Sequence, residues 1–191
     1  MTQIQQNQDL CLRFATLFSY PGQGIAKEAA DCLAGLQKFS PEASVSLASF
    51  VRFVEDSDVS QIEEAYTGTF DLQSLCHPYV GYQLCGESQQ RTMFMIKLRE
   101  LYTEHGFVPG NELPDHLAEV LRFLGSILDE DCRQEIIRNG LLPALEQITK
   151  GVESDNRPYL RLLDSLQNFL IGTAMSDAEL QSIERQKECL S

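Results

Sequence analysis

Along most of this chain apolar residues return every three or four positions, the spacing that turns one face of an α-helix toward a core. Leu10, Phe14, Leu17 and Phe18 form the first such stripe, over Asp9 to Ser19, and Tyr20-Pro21-Gly22 stops it. Ile25, Ala29, Cys32, Leu33 and Leu36 give a second. Ser40-Pro41-Glu42 opens a third, with a capping serine and a proline at the first helical position, and Val45, Ala48, Phe50, Val51 and Val54 supply its buried side. Asp58 starts a fourth, striped by Val59, Ile62, Tyr66 and Phe70.

From Leu72 to Gly86 the period is lost, while Tyr79, Tyr82 and the leucines keep the segment apolar. The expectation is a loop that packs over a core or lines a groove. Glu87 then opens a helix with Phe94, Met95, Leu98, Leu101 and Tyr102 inward and Gln89, Gln90, Lys97 and Glu100 outward. His105-Gly106 ends it, and Val108-Pro109-Gly110-Asn111 is a turn. Pro114 is expected at the first position of the next helix, with Asp115 at the positive end of its dipole. Leu117, Val120, Leu121, Leu124, Ile127 and Leu128 are its apolar face.

Beyond it, a short helix from Asp131 to Asn139 is expected to end at Gly140, and another from Leu141 to Lys150 at Gly151. Ser154 or Asp155 caps a long helix carrying Tyr159, Leu162, Leu163, Leu166, Phe169 and Leu170. The tail from Asp177 to Cys189 reads as a weaker, polar helix. With no strand pattern and no internal repeat, the predicted fold is all-α, a single compact bundle of about eight to ten helices over residues 1–191.

The net charge of −13 argues against nucleic acid and anionic membranes, which reward lysine and arginine, and favours a basic partner. No apolar run reaches the roughly 20 residues that span a bilayer. The opening MTQIQQNQD has neither the basic patch nor the apolar core of a signal peptide, so a cytoplasmic location is expected. Six cysteines stand without a CxxC pair and read as reduced thiols. Cys76, His77 and Cys85 lack the fourth ligand and the paired spacing of a zinc site, so no metal is expected.

A phosphate-cradling glycine loop, a serine elbow, an HExxH pair and a cysteine–histidine nucleophile signature are all absent. Glu112, Asp115 and His116 crowd one helix start more densely than capping requires. Three readings stand for them: a salt-bridged turn that fixes two helices, a ligand-recognition site, and an acid–base pair. An enzyme is not expected, and no cofactor is assigned.

Several of these stretches resemble one family. Gly86-Glu87-Ser88 with Arg91, LYTEHG at Leu101 to Gly106 and NELPDHL at Asn111 to Leu117 look like the NarJ-type nitrate reductase delta subunits, within the TorD/DmsD group of molybdoenzyme chaperones. LFSYP at Leu17 to Pro21 and Tyr66 followed by Thr69-Phe70-Asp71 support the match, which spans about residues 10 to 175. The resemblance implies a TorD-like fold and an assembly chaperone. Its partner would be the catalytic subunit of a molybdoenzyme, held by a basic, amphipathic or twin-arginine N-terminal segment until cofactor is inserted. Tyr66, Phe70 and Asp71 with Tyr79 and Tyr82 are then candidates for one wall of the peptide site. Glu87, Arg91, Tyr102, Glu112, Asp115 and His116 are candidates for the other. Monomer and homodimer both remain open.

Overall fold

Thr2 opens the first helix: its hydroxyl accepts from the Gln5 amide at 3.3 Å, and the Gln5 side chain accepts from the Thr2 amide at 2.9 Å. The helix α1 (Gln3–Leu17) therefore starts well before the apolar stripe does, because its first turns are exposed and carry no hydrophobic signal. The computed structural model of the chain describes residues 2–71, 76–150 and 157–174. After α1 come α2 (Ile25–Phe39), α3 (Pro41–Asp56), α4 (Val59–Phe70), α5 (Val80–Cys85), α6 (Gln89–Glu104) and α7 (Leu117–Ser126). Then α8 (Glu130–Ile136) passes through a π-turn (Ile137–Leu141) into α9 (Leu142–Thr149), and α10 (Pro158–Ala174) follows. Among the described residues there is no strand, so the all-α expectation holds.

The core is built by α1 against α2 and α7, and by α3 against α2 and α10. Phe14, Phe18, Phe50, Phe123 and Phe169 are fully enclosed within it, each contributing about 2–3 kcal/mol of hydrophobic stabilisation. α7 is buried around nearly its whole circumference, as a helix with few polar positions must be. Gly125 makes that possible, since a Cβ there would sit 2.5 Å from Leu12 Cγ and 3.0 Å from the Gln8 carbonyl of α1.

Several local expectations are corrected. The 72–86 stretch is not all loop: Val80–Cys85 is helical, too short for a 3.6-residue period to show, and Gly86 at φ 62° ends it. Pro114 lies before α7 instead of at its first position, because His116 is the N-cap and the preceding residues are bonded to another segment. Leu128 is 82% exposed, since the chain turns extended at Ile127 and the stripe cannot continue. Val45 is 72% exposed, as the buried face of α3 runs through Ala43, Leu47, Phe50 and Val54 and position 45 points elsewhere. Ser40 occupies the N-cap of α3 without a side-chain bond, while Pro41 takes the first helical position as expected. Gly140 does not stop a helix but sits inside the π-turn. Ser154, Asp155, Gly151 and the tail helix lie outside the described residues.

Candidate functional site

Two segments remote in sequence are stitched together before α7 begins. The Val80 amide donates to the Asp115 carbonyl and the Leu117 amide to the Pro78 carbonyl, both at 2.7 Å, which forms an isolated bridge between Tyr79 and His116. The Tyr102 hydroxyl of α6 donates to the Pro114 carbonyl at 2.8 Å. Every backbone group of the PDHL turn thus committed holds α5, α6 and α7 in one arrangement.

The charged centre of this arrangement is Arg91, enclosed on α6. Its Nε donates to Asp115 Oδ2 at 2.9 Å and its Nη1 to Glu87. The guanidinium also lies 5.2 Å from the Tyr79 ring centroid and 5.7 Å from that of Tyr82. Asp115 is 0% exposed, so its charge is compensated almost wholly by Arg91. A Cβ on Gly81 would stand 2.8 Å from Asp115 Oδ2 and from Phe94 Cδ1; only glycine lets α5 approach the ion pair so closely. A second enclosed carboxylate, Glu119, accepts from Arg122 at 2.5 Å and from the Gly110 amide at 3.0 Å, and Arg122 reaches Ser19 at 2.8 Å. It anchors the 107–112 turn to α7.

His116 is buried, its ring edge-on to Tyr79 at 5.3 Å, and its Nδ1 accepts from the Ala118 amide at 3.2 Å. Nδ1 is therefore unprotonated, and burial holds the imidazole below its ordinary 6.5 even though Glu112, Glu119 and Asp115 pull the other way. The unfolded chain binds this proton more readily than the folded one. Stability is accordingly expected to be flat above pH 6.5 and to fall as pH drops below it toward the folded value. His116→Asn keeps a capping side chain and abolishes the titration, so urea melts between pH 6.5 and about 5 should show a shallower slope for it than for the parent. Equal slopes would assign the pH dependence to other groups.

The predicted site residues divide by environment. Tyr79, Tyr82, Glu87, Arg91, Asp115 and His116 meet in one cluster, with Tyr102 joined through Pro114. Tyr66 and Phe70 belong instead to an aromatic core group with Phe18 and Tyr159, at centroid distances of 5.0 to 6.2 Å. Asp71 and Glu112 are exposed, near enough to Tyr66 and Tyr79 that, after burial, they help push both phenols upward. Arg91 and the Tyr79–His116 bridge hold these residues of the two expected walls in contact.

A cleft also opens along α6. Between α6 and the α8 to π-turn run is a cleft of about 360 Å³, floored by Phe94, Leu98, Leu101, Val120 and Ile136. Glu100, Glu104 and Glu135 stand at its edge against one cation, Lys97, and all four are exposed. The sequence shows the inward stripe of α6 but hides this cleft, since its second wall arrives from α8 about forty positions later. Among the described residues no group of three or more His, Cys, Asp or Glu is placed to hold a metal. No helix there is long and apolar enough to cross a membrane.

Comparison with known proteins gives one consistent answer. The family described as nitrate reductase delta subunit matches residues 36–170. The protein named Probable nitrate reductase molybdenum cofactor assembly chaperone NarJ of Bacillus subtilis (strain 168) is 27% identical over 152 residues, 78% of this chain and 82% of that one. Nitrate reductase molybdenum cofactor assembly chaperone NarJ of Escherichia coli (strain K12) is 23% identical over 171 residues, 87% of this chain and 72% of that one. A crystal structure assigned as a redox enzyme maturation protein from Archaeoglobus fulgidus aligns with a TM-score of 0.59 at 21% identity, covering 89% of this chain and 95% of that one. That likeness concerns the fold.

Proposed function

This chain belongs to the nitrate reductase delta subunit family, and we propose from that footing that it is a cytoplasmic assembly chaperone. It binds the basic, amphipathic N-terminal segment of a molybdoenzyme catalytic subunit, nitrate reductase foremost, while molybdenum cofactor is inserted. Its relatives are named as assembly chaperones and not as catalysts. The observation that carries the reading is the acid-edged apolar cleft on α6. Phe94, Leu98, Leu101 and Ile136 offer an apolar floor, and three carboxylates outnumber one ammonium at its edge. An amphipathic helix laid there buries its apolar face and keeps its lysines and arginines beside Glu100, Glu104 and Glu135.

The cluster predicted from sequence serves this cleft from behind. Arg91 and Phe94 share α6, and Val80, which is adjacent to Tyr79, lines the cleft itself. Fixing α5, α6 and α7 through Asp115 and His116 fixes the cleft wall. Asp71, Tyr79 and Glu112, which reach the surface, supply a further acidic and aromatic contact for the client.

Calorimetric titration with a peptide of about 30 residues from the client's N-terminus, long enough for several helical turns, tests the reading. Micromolar or tighter binding that weakens as salt rises is the expected result. Absence of binding at low salt, with binding to the intact apoenzyme retained, would replace it by recognition of a folded surface.

A further inference from the structure

We propose that the π-turn at Ile137–Leu141 is the element of the cleft that sets how the client helix seats, with Gly140 admitting its backbone and Asn139 meeting a cationic side chain. The inference rests on the chaperone reading above and assigns parts of the chain outside the cluster that the sequence pointed to.

The helical run from Glu130 to Thr149 is continuous: Ile136, Ile137, Leu141 and Leu142 all keep right-handed helical angles. Within it the Leu142 amide bonds the Ile137 carbonyl, five residues back instead of four. Pro143 explains the widening. It has no N–H for the carbonyl four residues earlier, that of Asn139, and its ring crowds that carbonyl, so a regular α-turn there is strained. Such one-residue insertions into helices concentrate at functional sites, and this one lies on the cleft, where Asn139, Gly140 and Leu141 form part of the lining.

Gly140 has no evident structural duty. Its φ is not positive, and a Cβ built on it would meet nothing within 4 Å. Neither backbone strain nor crowding within the fold calls for glycine, while helix propensity disfavours it. A bare backbone on the wall of an apolar cleft is, however, what lets a second helix approach closely. Asn139 is exposed beside it, and its side-chain amide oxygen is an uncharged acceptor on a wall shared with Glu135, Glu100 and Glu104, with Lys97 as the opposing charge. An uncharged acceptor among carboxylates suits a guanidinium or ammonium. The occupant is therefore a basic amphipathic helix, in one seating.

The test compares the full chain with its Gly140→Ala, Gly140→Leu and Asn139→Ala variants, by thermal melting and by titration with the client N-terminal peptide. Gly140→Ala should melt at the same temperature or higher, because alanine favours a helix over glycine. Its affinity should nevertheless fall, and Gly140→Leu should weaken binding about tenfold; Asn139→Ala should weaken it about threefold with a shallower salt dependence. Parent-like affinity in both Gly140 variants overturns the inference while leaving the chaperone reading intact. Peptide binding absent from the parent itself overturns the chaperone reading and this inference together. A lowered melting temperature in Gly140→Ala would show that the glycine serves the fold, which also overturns it.

Discussion

Asp115→Ala is expected to lower folding stability by about 3 kcal/mol, because it leaves the enclosed guanidinium of Arg91 with Glu87 as its one remaining carboxylate among the described residues. Asp115 is 0% exposed and Arg91 is 8% exposed, so water cannot readily take over the lost bonds. Glu87, with a side chain 74% exposed, retains part of the charge and keeps the loss from being larger. Removing Arg91 as well should cost less than the sum of the single changes, by about 1–3 kcal/mol, since the second change relieves the stranded charge. Urea denaturation of the parent, both single variants and the double variant measures this. Additive losses would mean that the pair does not couple α6 to the turn before α7, and the account of how the cleft wall is fixed would go with it.

The second large effect concerns binding and not folding. Replacing Glu100, Glu104 and Glu135 together by lysine turns a cleft edge of three anions and one cation into one of four cations. All three carboxylates are exposed and none has a short ion pair among the described residues, so each replacement should change stability by no more than about 0.5 kcal/mol. Affinity for a basic client segment should fall at least about a hundredfold at low salt, because like charges then face each other across the interface. Added salt should narrow the gap by screening the repulsion, the opposite of its effect on the parent. A triple variant that binds like the parent would remove the cleft from the proposed site and shift attention to Asp71, Tyr79 and Glu112.

How much was legible in advance depends on how far apart in the chain the deciding contacts lie. Stripes such as Tyr159 to Leu170 and caps such as Asp58, whose carboxylate accepts from the Gln61 amide at 2.9 Å, are settled within a few residues. The sequence alone therefore determined the all-α class, most helices and the net charge of −13. It also marked Arg91, Asp115 and His116 as unusual, through the resemblance and through their density at one turn. What each of them does was decided only in three dimensions. Whether Asp115 caps a helix or neutralises an arginine depends on α6 arriving beside it, and whether Tyr66 and Phe70 face a client or a core depends on α10. The π-turn and the cleft are decided the same way: one comes from a proline opposing a carbonyl within a run whose other residues favour a helix, the other from two helices whose apolar faces do not fully close. Local chemistry fixes hydrogen bonds and faces, while burial and ion pairing follow from which distant faces meet.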